Sequence, residues 1–323
     1  MTIVIRSDEL EVEIAPERGA DIRQIVDRAT GMKFLAESPT SPGHPGIVPG
    51  NSMMHWLNGY PGGWQFLCPN ADDARLHDGV EQGYHGEAAL VEWMPSQQSE
   101  SSCDFETTLI TAPLTLHRHI TVSGNVVEVT DSVTNLAPRE VSVQLVQHPA
   151  FGPEFLSAGS YLVLDAGVLI SDARGPGSLL AADLVTTPSA LPPGPVPASI
   201  AIPAAGSGQA VFAAFAEFAT AAATFVSPSA GASVRMEWDS GVYPYAWIWI
   251  EANSPGGWPW FERMYAVAVE PANVLPGTGA VGGYARGTDG TAIAGGATLT
   301  STTRFVREKH ATFVEAGFEV IVA

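Results

Sequence analysis

The residues best suited to acid–base chemistry are two titratable side chains at the ends of strand-like segments. His148 lies in the motif QHPAFG, where Pro149 ends strand pairing and forces His148 towards extended geometry. A histidine there can act as acid or base near pH 7, although a hydrogen-bonded structural role is more common. Glu270 ends the apolar run YAVAVEP, where partial burial suits a carboxylate to general-base work unless it simply reaches water.

Another cluster combines an aromatic ring with amide and imidazole groups. Residues 61–70 read PGGWQFLCPN and supply Trp64, Gln65 and Asn70, and His85 follows in the motif YHGE. Such a set suits a sugar, whose C–H face stacks on a ring while its hydroxyl groups meet polar atoms. The alternative is a loop whose Trp64 only fills the core.

A strand-like segment, YAWIWIEAN at residues 245–253, carries two tryptophans and a carboxylate on one face. Period-two alternation places Trp247, Trp249 and Glu251 on the same side. Core packing accounts for one tryptophan readily. Two beside a carboxylate are more typical of the wall of a polar pocket.

His117 and His119 have the i, i+2 spacing of metal ligands on a strand face. A cupin would add a glutamate three or four residues further on, where this chain has Ser123 and Gly124. We therefore interpret the pair as solvent-facing and predict neither a metal site nor a cofactor. The sequence also has no Gly-rich phosphate loop, CxxC pair or GxSxG elbow.

The charge balance excludes several classes of partner. The 323 residues carry 15 Lys and Arg against 34 Asp and Glu, a net charge of −19, which argues against nucleic acid and against an anionic membrane surface. The N-terminus has no apolar stretch of signal-peptide length, and the run at 210–226 is too short and Ala-rich for a membrane span. We expect a soluble, cytoplasmic monomer or homodimer with a small-molecule partner.

The elements that must position these side chains are short strands. With 33 Gly and 25 Pro long helices are disfavoured, while runs such as LTLHRHITV at 114–122 alternate with period two. Turn signals about every ten residues favour a sandwich or barrel. We predict one all-β domain over residues 1–323, two short strands within 210–226, and a surface loop rather than a linker in the Pro-rich segment 186–203.

Taken in chain order, these motifs resemble the galactose mutarotase-like (aldose 1-epimerase) superfamily. The matching pieces are GGWQ…PN (Gly62–Asn70), HGE (His85–Glu87) followed by Trp93, HPAFG (His148–Gly152), the Trp-rich strand with its Pro/Gly turn (Trp247–Gly257), and VEP (Val269–Pro271). The ordered set covers roughly residues 60–280. The resemblance implies an antiparallel β-supersandwich, in agreement with the strand pattern.

The resemblance also implies a mechanism without metal or cofactor. His148 would protonate the ring oxygen of an aldose, and Glu270 would remove the proton of the anomeric hydroxyl, so that the ring opens to the free aldehyde. Rotation about C1–C2 and reclosure then give the other anomer. His85 would bind near the ring oxygen and the anomeric centre.

One departure from the family pattern bears on the substrate. Many members carry an Asn-Arg pair where this chain has Asn70-Ala71, and nothing in the sequence shows that Arg75 replaces the arginine. We expect a neutral aldose to be the substrate. A non-catalytic sugar-binding or regulatory protein, or another sugar epimerase or lyase of the superfamily, remains the alternative.

The charge balance yields a prediction about substrate charge. Neutral hexoses are expected to show a higher kcat/KM than their 6-phosphates, because no basic cluster adjoins the motifs and a protein of charge −19 repels anions. Polarimetry of fresh α-D-glucose and of its 6-phosphate measures both. A higher kcat/KM for the phosphate would contradict the prediction.

Overall fold

A computed structural model describes residues 2–39, 50–172 and 175–309, which are built mainly from strands. The helices are α1 (Ser52–Gly59) and a 3-10 turn (Pro188–Ala190). The strands are β1 (Ile3–Arg6), β2 (Leu10–Ala15), β3 (Asp21–Asp27), β4 (Trp64–Leu67), β5 (Arg75–His77), β6 (Val80–Gln82), β7 (Met94–Gln98), β8 (Ser102–Thr108), β9 (Leu114–Ser123), β10 (Val126–Asn135), β11 (Val141–Val143), β12 (Val146–Phe151), β13 (Tyr161–Ser171), β14 (Val185–Thr186), β15 (Ser199–Ala201), β16 (Gln209–Ser227), β17 (Ala232–Trp238), β18 (Tyr245–Ala252), β19 (Tyr265–Ala272), β20 (Gly279–Val281), β21 (Tyr284–Arg286), β22 (Thr291–Ile293) and β23 (Thr298–Lys309). The all-β prediction is confirmed. Among the described residues, no helix is long and apolar enough to cross a membrane.

Two antiparallel branches of sheet meet on one long strand. The first branch runs β1–β2–β3–β4–β12–β19–β18 and ends on the first half of β16. The second runs β7–β8–β9–β10–β23–β17 and ends on the second half of β16. Strand β13 pairs along both halves of β16. The branches pack against each other as the layers of a sandwich.

The Ala-rich run forms one strand of 19 residues, β16, so the prediction of two short strands is wrong. Its long pairing with β13 keeps it continuous, and an irregularity in register between Leu164 and Ala166 is absorbed near Glu217, whose φ is 58°. The Pro-rich segment 186–203 contains the 3-10 turn and β15, which pairs back onto β13. It therefore returns to the same sheet.

Alternation along the strands of the first branch divides their side chains between two apolar clusters. On β19, Val267 and Val269 face the main core between the branches, whereas Ala266, Ala268 and Ala272 face a second cluster on the other side. The neighbouring β18 and β16 alternate in the same way. Small alanines on the second face leave space above the sheet, and the candidate site occupies that space.

A buried polar network links the two branches beneath that face. The Arg118 guanidinium donates to both carboxylate oxygens of Asp131, at 2.7 and 3.1 Å, and is fully buried. Gln147 on β12 donates to Asp131 at 2.8 Å and to the Tyr243 hydroxyl, while its own oxygen accepts the indole N–H of Trp64 at 2.9 Å. Because Gln147 precedes His148, the network fixes β12 immediately beside the candidate site.

Candidate active site

A cavity of about 290 Å³ lies over β12, β19, β18 and β16 on the second face of the first branch. Helix α1 and the loops at residues 175–178 and 254–262 complete its walls. The residues that line the cavity include Trp56, Tyr60, His85, His148, Trp247, Trp249, Glu251, Ser254, Trp258, Trp260, Glu262 and Glu270. The size and aromatic lining are those of a small-molecule site.

His148 and Glu270 face each other across neighbouring strands at the closed end of the cavity. The register of β12 and β19 pairs Val146 with Ala272 and Ala150 with Ala268, which sets His148 opposite Glu270. Nε2 of His148 lies 3.6 Å from Oε1 of Glu270, and both side chains are buried. Among the described residues, neither His148 Nδ1 nor Glu270 Oε1 has a hydrogen-bond partner. Two buried polar atoms are thus left for a ligand.

Burial moves the two pKa values in opposite directions, because it penalises the charged form of each group. Desolvation lowers the pKa of His148 to about 4. Desolvation, followed by the charge of Asp72, raises the pKa of Glu270 well above its ordinary value. Burial therefore favours the neutral form of each group, a neutral imidazole and a protonated carboxyl. The pair comprises one acid and one base.

His85 is clamped by a loop in an unusual backbone conformation. Its φ of 59° lies in the left-handed region, which is strained for a residue other than glycine. The backbone N–H of Asp72 donates to His85 Nδ1 at 2.9 Å, and the His85 N–H donates to the Asp72 carbonyl. Since Nδ1 is an acceptor, the proton of the neutral imidazole resides on Nε2. The ring lies 6.1 Å from that of His148.

Helix α1 and the residue that follows it contribute two aromatic side chains that the sequence reasoning missed. The rings of Trp56 and Tyr60 are stacked at 5.0 Å, and each is within about 6 Å of the His148 ring. Both side chains are buried, yet the Trp56 indole nitrogen and the Tyr60 hydroxyl have no hydrogen-bond partner among the described residues. Their i, i+4 spacing just before the motif at residues 61–70 was the available signal.

The wall predicted from β18 is present. Trp247, Trp249 and Glu251 all line the cavity, and the rings of Trp249 and His148 are 5.7 Å apart. Burial raises the pKa of Glu251. Its two carboxylate oxygens accept hydrogen bonds from the backbone N–H and the hydroxyl of Ser254, at 2.6 and 2.9 Å. Glu251 therefore holds the 254–262 loop in place as well as lining the cavity.

Trp64 does not line the cavity, so its prediction as a sugar-stacking residue is corrected. The left-handed φ values of Gly62 and Gly63 lead the chain into β4, where Trp64 faces the main core with no exposed surface. A β-carbon on either glycine would clash with a backbone carbonyl oxygen, within 2.4 Å. The core-filling alternative for Trp64 is the observed one.

Gln65 and Asn70 are also placed outside the cavity lining. Gln65 lies opposite His148 in the β4–β12 register. Its amide nitrogen donates hydrogen bonds to the carboxylate of Asp21 and to the carbonyl of Gly62, at 3.2 and 2.6 Å. The Asn70 amide donates to the carbonyls of Asp73 and Gly83 and so holds the loop that carries His85. Both residues therefore make hydrogen bonds to segments next to the site and do not line the cavity.

Arg75 does not replace the missing arginine. It contacts Asp289 at 3.3 Å and Gln82 at 3.1 Å, and it lies outside the cavity lining.

The side chains of Cys68 and Cys103 are buried, free thiols.

His117 and His119 flank the carboxylate of Asp104 on the outer face of the second branch. Oδ1 of Asp104 is 3.2 Å from His117 Nε2 and 2.8 Å from His119 Nδ1, and both histidines are partly exposed. The described part of the chain contains no group of three or more His, Cys, Asp or Glu residues arranged to hold a metal ion.

Comparison with known proteins assigns the family. Residues 1–282 match the family described as Domain of unknown function (DUF4432), and the chain belongs to that family. No curated protein matches the sequence.

Solved structures with the same fold cover nearly the whole chain. The Slr1438 protein of Synechocystis sp. PCC 6803 has a TM-score of 0.71 at 14% identity, over 96% of both chains. A galactose mutarotase related enzyme of Lactobacillus acidophilus has a TM-score of 0.67 at 15% identity, over 98% of this chain and 100% of the other. A galactose mutarotase-like protein of Lactobacillus casei ATCC 334 has a TM-score of 0.62 at 21% identity, over 95% and 100%. The predicted galactose mutarotase-like fold is confirmed.

The buried pair makes stability depend on pH in a testable way. In the unfolded chain a glutamate ionises at about pH 4.3. Because folding raises the pKa of Glu270, the unfolded state gains stability over the folded state as pH rises above that value. Glu270→Gln removes this penalty, so its Tm relative to wild type is expected to increase from pH 5 to pH 8.

Thermal unfolding of Glu270→Gln across this range tests the expectation, with Glu262→Gln as the control. Glu262 also lines the cavity but is exposed, so its variant should follow the wild-type pH dependence. A Tm difference for Glu270→Gln that stays constant with pH would contradict the raised pKa.

Proposed function

We propose that this protein is a cofactor-independent aldose 1-epimerase that interconverts the anomers of a neutral aldose. The observation that carries the proposal is the buried pair of His148 and Glu270, with Nε2 and Oε1 3.6 Å apart. Within the described part of the chain, neither Oε1 of Glu270 nor Nδ1 of His148 makes a hydrogen bond. Ring opening of a hemiacetal needs an acid at the ring oxygen and a base at the anomeric hydroxyl. A facing pair that shares one proton supplies both.

The proton count of the pair fits one complete catalytic cycle. Protonated His148 with ionised Glu270 carries the same single proton as neutral His148 with protonated Glu270. Sugar oxygens bound at the pair supply hydrogen bonds that favour the ionised forms, so that His148 protonates the ring oxygen while Glu270 takes the anomeric proton. Reclosure returns both protons, and the enzyme is regenerated without a second substrate.

The surroundings of the pair support a polyhydroxy ligand. The Trp56 indole nitrogen and the Tyr60 hydroxyl are buried close to His148 and make no hydrogen bond to any described residue, and flat rings surround them. Sugars offer both the hydroxyl groups and the C–H faces that such a cavity requires. His85, with its Nε2 proton, is assigned to hold the substrate near the anomeric carbon.

The acidic surroundings of the cavity favour a neutral substrate over an anionic one. Glu262, an exposed residue, lines the cavity. A sugar phosphate would be repelled by its carboxylate and by the net charge of −19. The neutral aldose expected from the sequence is therefore retained as part of the proposal, and the names of the similar structures, related to galactose mutarotase, agree with the reaction.

Replacing either member of the pair should remove most of the activity. Glu270→Gln and His148→Asn keep the shape but lose one proton-transfer group, so kcat is expected to fall at least about a hundredfold in each. The fold-reduction in kcat of the double variant should be smaller than the product of the two single fold-reductions, because both groups act in one proton exchange. Polarimetry measures the rates, and calorimetry with the same sugar checks that binding persists.

The wild-type pH profile of kcat/KM supplies an independent check. It should be bell-shaped, with an acid limb near pH 4, where His148 takes up a second proton, and an alkaline limb where the pair loses its only proton. A Glu270→Gln variant that kept more than about a tenth of wild-type kcat would exclude Glu270 as the base. Sugar binding with no acceleration by the wild type would indicate a binding protein.

Tyr60→Phe tests whether the unpaired hydroxyl binds the sugar. Loss of one hydrogen bond is expected to lower kcat/KM about tenfold. The Tm should not fall, because the hydroxyl has no hydrogen-bond partner in the described part of the chain. Across a series of monodeoxy sugars, the difference from wild type should vanish for the sugar that lacks the contacted hydroxyl. A lower Tm with unchanged kinetics would show a structural role instead.

A further inference from the structure

Aromatic rings continue from the His148–Glu270 pair to the mouth of the cavity. The Trp249 ring lies 5.7 Å from His148, and the Trp260 ring lies 6.2 Å from that of Trp249. Trp258, two residues before Trp260, lines the outer part of the cavity. Exposure increases along this path: Glu270 is 1% exposed, while Trp258 is 38% exposed.

One sugar ring does not fill this path. A pyranose is a six-membered ring, similar in size to one of the aromatic rings that it would contact. With its C1 beside His148 and Glu270, such a ring would contact Trp249, and the exposed part of Trp258 would remain available to a further ring. Exposed tryptophan at a cavity mouth is a typical contact surface for a ligand with an apolar face.

The outer tryptophan is held in place by the protein. The Trp258 indole N–H donates to Asn58 Oδ1 of helix α1 at 3.0 Å. This bond ties the 254–262 loop to the helix that carries Trp56 and ends directly before Tyr60. At the base of the same loop, Ser254 donates two hydrogen bonds to Glu251. The outer wall is therefore anchored at both ends, and the exposed carboxylate of Glu262 lies beside it as an acceptor for hydroxyl groups.

We propose that Trp258 and Trp260 form an outer subsite for a second sugar ring, so that the preferred substrate is a neutral reducing disaccharide or the reducing end of a longer oligosaccharide. The reducing ring occupies the inner cavity with its free anomeric hydroxyl at Glu270. The second ring, which is attached to the reducing ring at a carbon of that ring other than C1, stacks on Trp258. This inference rests on the proposed function, because it places the reducing ring at the same pair.

The test compares sugars that share a reducing ring. Mutarotation of glucose, maltose and cellobiose is followed by polarimetry, and the ratio of disaccharide to glucose kcat/KM is the readout. Trp258→Ala is expected to lower this ratio about tenfold, the loss of one contact of about 1.4 kcal/mol. Trp258→Phe keeps a flat ring without the bond to Asn58 and should recover part of the ratio.

Phe261→Ala is the matched control. Phe261 belongs to the same loop and is 54% exposed, but it lies outside the cavity lining, so its variant should keep the wild-type ratio. Turnover of glucose with a disaccharide ratio that Trp258→Ala leaves unchanged would overturn the outer subsite alone. If the mutarotation of none of the three sugars is accelerated, the proposed function is overturned. Calorimetry of disaccharide binding to wild type and to Trp258→Ala then tests the outer subsite separately. An unchanged Kd would overturn the outer subsite.

Discussion

The ion pair between Arg118 and Asp131 in the centre of the sandwich is the constraint on which the site depends. A charge with no exposed surface is strongly destabilising unless it is paired and hydrogen-bonded, and here both requirements are met by a bidentate contact. The Arg118 guanidinium also lies over the ring of Phe66, at 5.2 Å, on the opposing branch. Because Gln147 completes the carboxylate's hydrogen bonds, β12 has one favourable position relative to the second branch.

From that position, strand geometry produces the site. Gln147 faces the core network, so alternation turns His148 to the opposite face of the sheet. The antiparallel register with β19 then brings Glu270 opposite His148, and the alanines on either side of Glu270 in β19 leave space above the pair. Any one-residue slip would put Val269 where Glu270 stands. Stability of the sandwich and geometry of the site are therefore consequences of the same pairing.

The same burial that positions the pair also costs folding free energy. Desolvation opposes both charges, and His148 Nδ1 and Glu270 Oε1 have no hydrogen-bond partner among the described residues. The Trp56 indole nitrogen and the Tyr60 hydroxyl are in the same condition. Polar atoms that folding leaves unsatisfied beside flat rings are what a polyhydroxy ligand would complete, so the cost in folding free energy becomes binding free energy.

The sequence by itself determined the strand-rich class, because period-two alternation and frequent turn residues act locally. It also named His148, Glu270 and the face with Trp247, Trp249 and Glu251 as candidates, and these residues line one cavity. It misplaced Trp64, although neighbouring residues of a strand such as Trp64 and Gln65 point to opposite faces and cannot share one pocket. Only the tertiary structure decided which face was covered and which segments met there. Helix α1 and the 254–262 loop are some 200 residues apart, as in the bond between Asn58 and Trp258, and no local pattern records a contact over that distance.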